Sequence, residues 1–82
     1  MIFTKSQLIE KGFSEYREGG VQYLGFNLDK STSMSSWLVT SDSDESDSDP
    51  QFVVQLCMGV KPVVPKFLNS TEIDLVIKAL SC

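Results

Sequence analysis

Five carboxylates fall within eight positions of this chain, in the run "SDSDESDSDP" over residues 41–50. Asp42, Asp44, Glu45, Asp47 and Asp49 alternate with serines, a spacing that would suit a hard cation such as calcium, which prefers oxygen ligands. An EF-hand loop needs glycine at its sixth position and a bidentate glutamate at its twelfth. Counted from Asp42, those positions hold Asp47 and Val53. Any calcium site here would therefore be weak. Two other chemistries suit the same residues. Ser41, Ser43, Ser46 and Ser48 lie in an acidic context that an acid-directed kinase would accept, and phosphate would deepen the existing charge. The clustered acids would also suit a mimic of a phosphate backbone, steered toward a basic groove on another protein. Against these stands the plainest reading, a flexible solvated loop whose repulsion discourages strand-edge aggregation.

The remaining reactive side chains form no constellation. Cys57 and Cys82 lie 25 positions apart, and there is no histidine in the chain. Two thiols are too few ligands for zinc, and without a secretory leader they read as reduced cysteines rather than a disulfide. General acid–base work would fall to carboxylates, cysteine, tyrosine or lysine. Cys57 has no basic sequence neighbour to lower its pKa, and the carboxylates outside the loop are scattered. The expectation is a protein that is not an enzyme and carries no cofactor or metal. Pro62 and Pro65 have the PxxP spacing of polyproline ligands, but their lysines fall at the wrong offsets. Residues 59–67 read instead as a rigid connector.

Charge narrows the partners. Five of the eleven acids sit in the 41–50 run, and the other six face seven lysines and arginines, so the body is almost neutral and the net −4 is local. Nucleic-acid affinity comes mainly from clustered basic residues on phosphates, and no such cluster exists here, so nucleic acid is not expected. No apolar run approaches the ~20 residues of a membrane span, and "MIFTKSQLIEKG" lacks a secretory h-region. A cytoplasmic protein without membrane contact is the expectation. Eighty-two residues make one domain with a thin core.

The elements that must position these residues are well marked at both ends. Thr4 and Gln7 form a capping box, Phe3 and Leu8 the accompanying hydrophobic staple, and Gly12 a stop. A helix over about residues 5–11 follows, buried through Leu8 and Ile9. Near the other end Asn69 caps and Glu72 completes the box, with Leu68 and Ile73 as staple. Ile73, Val76, Ile77 and Leu80 recur at helical spacing, which predicts a helix over 70–80.

Between the helices the period is two. "FSEYREGGVQYLGFNL" predicts two strands joined at Gly19-Gly20. Leu24, Phe26 and Leu28 share one face of the second strand, and Val21, Tyr23 and Asn27 the other. "SSWLVT" predicts a third strand, reached through "DKSTSMS". "QFVVQLCMG" predicts a fourth, with Phe52, Val54, Leu56 and Met58 on one side and Val53, Gln55 and Cys57 on the other. Short links imply antiparallel pairing. The expected fold is α+β: a two-layer sandwich in which a four-stranded antiparallel meander is flanked by an N-terminal and a C-terminal helix.

Helices on one face alone would leave Val21, Tyr23, Val53, Cys57 and one side of the Trp37 strand uncovered, and exposed apolar sets of that kind mark interfaces. The expected function is a small protein-binding module, an adaptor or a homodimer. Its partner-binding residues would be Tyr23, Trp37 and Val53, with Asp42, Asp44, Glu45, Asp47 and Asp49 as a second contact. The alternatives are a small acidic inhibitor of a basic-grooved protein, such as a phage or mobile-element anti-defence product, and a weak calcium-binding protein.

Overall fold

The computed structural model describes residues 1–28, 36–59, 61–64 and 66–80. The expected "DKSTSMS" link from residue 29 to 35, Pro65, the Leu80 side chain and Cys82, with its thiol pairing, lie outside the described residues.

The chain folds as an α+β domain with two helices and antiparallel sheet. Strand β1 (Phe3–Thr4) leads directly into helix α1 (Lys5–Glu10). Strands β2 (Ser14–Glu18), β3 (Val21–Asn27), β4 (Ser36–Thr40), β5 (Ser43–Asp44), β6 (Gln51–Phe52), β7 (Val54–Met58) and β8 (Lys61–Pro62) follow, and helix α2 (Ser70–Leu80) closes the described chain. The expected meander is present as β2-β3-β4-β7.

Three features correct the four-stranded expectation. Strand β8 extends the sheet beyond β7, and β5 pairs with β3 alongside β4. The run expected as one fourth strand is split at Val53, and β6 leaves to pair with β1, setting Phe52 opposite Phe3. That pairing joins residues nearly fifty positions apart, which local periodicity cannot register. The "KP" of the expected connector is an edge strand, where a proline's missing donor leaves no ladder bond unmade. The fold is thus broader than a plain meander.

Local chemistry explains the parts that follow expectation. Gly19 and Gly20 have φ of 62° and 84°, as a two-residue type I′ turn requires, and Glu18 pairs with Val21 across it. The Thr4 hydroxyl accepts from the Gln7 N–H, and the Gln7 side chain accepts from the Thr4 N–H. At α2 the Glu72 N–H donates to Asn69 Oδ1 at 2.9 Å, and the Asn69 N–H donates to Glu72 Oε1 at 3.0 Å. The Lys66 ammonium, and after it that N–H, holds the Glu72 carboxyl below the usual carboxylate range. Replacing Asn69 with alanine is expected to cost about 1 kcal/mol, read as a melting temperature lower by roughly 4–8 °C for a domain of this size.

The core gathers Phe3, Leu8 and Phe13 from the N-terminal segment with Leu24, Leu28, Leu38, Phe52 and Val54 from the strands and their ends, and Leu68 and Ile73 near α2. Phe26, Leu56, Val76 and Ile77 pack against it. Ile9 departs from expectation and is 44% exposed. Successive helical residues are about 100° apart, so a six-residue helix that turns Leu8 inward turns Ile9 outward. The Lys11 ammonium ties the end of α1 to Asp74 of α2 at 2.8 Å.

Candidate functional site

Strand alternation fixes what lies on the sheet face away from this core. On β3 the inward set is Gln22, Leu24 and Phe26, so Val21, Tyr23, Gly25 and Asn27 point the other way. Register carries the division sideways: Tyr16 lies opposite Tyr23, Val39 opposite Gly25, Trp37 opposite Asn27, and Cys57 opposite Trp37. The outward face therefore presents Tyr16, Tyr23, Trp37, Val21, Val39 and Gln55.

The aromatic members form a cluster. The rings of Tyr16 and Tyr23 stack with centroids 5.3 Å apart, and Tyr16 meets Trp37 edge to face at 6.5 Å. Beneath them lies Gly25, whose missing side chain makes the room. A Cβ there would stand 3.0 Å from Trp37 Cε3 and Cζ3 and 3.2 Å from Tyr16 Cε2. The indole is held at its other end by Nε1 donating to the Gly59 carbonyl at 2.7 Å. Beside the cluster runs a groove of about 160 Å³ lined by Gly12, Ser14, Tyr16, Gly25, Phe26 and Asn27.

Tyr23 and Trp37 stand on this face as expected, each half-buried. Val53 is also half-buried, but it lies at the break between β6 and β7, where its N–H and carbonyl bond to Ser41 Oγ and N–H. Cys57 departs from the expected exposed set: it is 4% exposed, flanked in register by Trp37 and Pro62. Burial pushes its thiol pKa up. Tyr16, 41% exposed, is the member that periodicity missed. The signal for it is present, because a two-residue turn pairing residues 18 and 21 must also pair 16 with 23.

The acidic run folds back on the β2–β3 hairpin. Pairing of β4 with β3 sets Val39 on Gly25, whereas pairing of β5 sets Asp44 on Val21. The two registers differ by one residue, so the segment Ser41–Asp42 carries a bulge that bends the chain toward the hairpin. Buried Gln22 then holds the turn, its Nε2 donating to the carbonyls of Asp44 at 2.8 Å and Asp47 at 3.0 Å. The Glu45 N–H donates to the Gly20 carbonyl at 2.9 Å, and Arg17 lies 3.6 Å from the Glu45 carboxylate.

The five acids do not act as one set. Asp44 Oδ1 accepts from the Ser46 N–H at 2.9 Å and hydroxyl at 2.8 Å, and these bonds hold its carboxyl below the usual range. Asp47 Oδ1 accepts from the Asp49 N–H at 3.0 Å. Asp44 and Asp47 thus close the turn, while Asp42, Glu45 and Asp49 are exposed around it. Among the described residues no three carboxylates or thiols converge as a metal would require, and no helix is long and apolar enough to cross a membrane.

The fold and this face define an α+β domain carrying a half-exposed aromatic cluster. In comparisons with known proteins the chain matches no family model, and no curated sequence or solved structure aligns with it.

Proposed function

We propose that the chain is a cytoplasmic, non-enzymatic protein-binding module, built in two layers and engaging another protein through the uncovered aromatic face of its sheet. The observation that carries this reading is the Tyr16–Tyr23–Trp37 cluster on the side of the sheet opposite the core. Tyrosine and tryptophan bring large rigid contact area at low entropy cost and are enriched in interface cores. Their polar tips tolerate water when the face is free. The second reading, an acidic inhibitor of a basic-grooved partner, draws support from the turn. Gln22 and Gly20 hold its backbone in place and Arg17 faces the Glu45 carboxylate, and preorganised charges bind at a lower ordering cost.

One capture experiment in the native host separates the two. Tyr23→Asp is expected to reduce partner recovery at least about tenfold, while the lost stack on Tyr16, worth about 1 kcal/mol, lowers the melting temperature by only roughly 4–8 °C and leaves the variant folded during capture. Neutralising Asp42, Glu45 and Asp49 together should leave recovery within about twofold. Recovery that survives Tyr23→Asp but falls with the neutralised turn, and with added salt, would favour the inhibitor instead. Recovery indifferent to both would remove both readings.

A further inference from the structure

The outer edge of β2 is a five-residue strand, all of it exposed, that no described residue pairs with. Its hydrogen-bonding sense follows from its neighbours. The N–H of Leu24 donates to Thr40 Oγ1 and that of Leu28 to the Ser36 carbonyl, so the even residues of β3 direct their backbone groups toward β4. The odd residues of β3 therefore bond to β2, and in β2 Ser14, Tyr16 and Glu18 face inward. Glu15 and Arg17 are left with N–H and C=O groups directed outward.

We propose that this edge pairs with the same edge of a second copy, antiparallel about a two-fold axis through Tyr16. The proposal rests on the reading of the chain as a protein-binding module and adds to it a second contact, the strand edge that borders the aromatic face. Charge selects the register. Three antiparallel registers match outward backbone groups over most of the strand, centred on residue 15, 16 or 17. Centring on 15 sets Glu15 against its own copy, and centring on 17 does the same for Arg17. Centring on Tyr16 sets Glu15 of each chain opposite Arg17 of the other. Like charges directly opposite destabilise a strand pair and unlike charges stabilise it.

The surroundings reinforce that choice. Lys5 already pairs with Glu15, and Glu45 lies near Arg17. Across the axis the charges would then alternate from Lys5 to Glu15, to Arg17 and Glu45 of the second copy. On the opposite face Tyr16 would meet Tyr16 as a directly opposed, non-hydrogen-bonded pair, the closer of the two kinds. The stacked Tyr16–Tyr23 pair of each copy would join into one ladder of four rings. Charged residues on an edge strand ordinarily block association. Here their order is self-complementary, and an isologous contact requires that.

Sedimentation over a range of concentrations tests the proposal. Wild-type chain is expected to show a concentration-dependent dimer. Glu15→Arg and Arg17→Glu, each alone, place like charges at both crossings and should weaken the dimer about tenfold or more. Mixing the two variants restores opposite charges at both crossings, so the mixture should regain wild-type association as a heterodimer. On unaltered chain, salt raised to about 1 M should weaken the dimer by screening, an arm that depends on no substitution. A wild type monomeric to about 1 mM, variants that dimerise like wild type, or a mixture no tighter than its components would overturn the proposal. A monomer that still captures a partner through Tyr23 would overturn self-association alone and leave the binding-module reading standing.

Discussion

Phe52→Ala is expected to remove about 3–5 kcal/mol of stability. At roughly 0.05–0.15 kcal/mol per residue, a domain of this length holds about 4–12 kcal/mol in all. The ring is 1% exposed and belongs to the core cluster. It also stands opposite Phe3 in the β1–β6 pair, beside the Thr4 cap of α1. Truncation thus leaves a cavity and loosens the strand that sets the start of the helix. Urea unfolding measures the loss as a lower midpoint at unchanged slope, and amide exchange at Gln7 should quicken with it. Phe67, 53% exposed, is the control. Its alanine variant should stay within about 0.5 kcal/mol. Equal losses at the two positions would mean that Phe52 does not join the β1–β6 pair to the core.

The same residue shows where the reach of sequence ends. Both helices and the Gly19-Gly20 hairpin are legible because their determinants lie within five positions of one another: a cap and its reciprocal acceptor, a staple, two glycines at positive φ. The face on which Tyr23 stands is equally legible from alternation. The split at Val53 is not, since Phe52, Val54, Leu56 and Met58 keep a spacing of two straight through it and only Phe3, far away in sequence, draws Phe52 out of line. The placement of the acidic turn is hidden for a related reason. Composition predicts solvation for a run of serine and aspartate, but its placement comes from Gln22, a polar residue at a core-facing position of β3. A buried amide must find partners, and it finds them in the Asp44 and Asp47 carbonyls. A lone glutamine among Leu24, Phe26 and Leu28 signals that a backbone lies within reach, but not which one.

Gly25→Val is expected to destabilise the domain by about 1–3 kcal/mol and to disturb the aromatic face with it. Two effects oppose. Valine is the better strand residue and restricts the unfolded chain, worth roughly 1 kcal/mol in its favour. Against that, a Cβ alone would reach 3.0 Å from the Trp37 ring and 3.2 Å from Tyr16, and valine adds two methyl groups beyond it. The indole cannot slide away freely, because doing so breaks the 2.7 Å bond from its Nε1 to Gly59. Tyr16 cannot tilt without leaving its stack on Tyr23. The steric term therefore outweighs propensity. Trp37 is the sole tryptophan, so its emission reports the site directly and should shift to the red as the ring is pushed into water. Gly25→Ala should move in the same direction by less. A valine variant with unchanged emission and a higher melting temperature would mean that the rings do not rest on this glycine, and the cluster would lose the feature that holds its three members together.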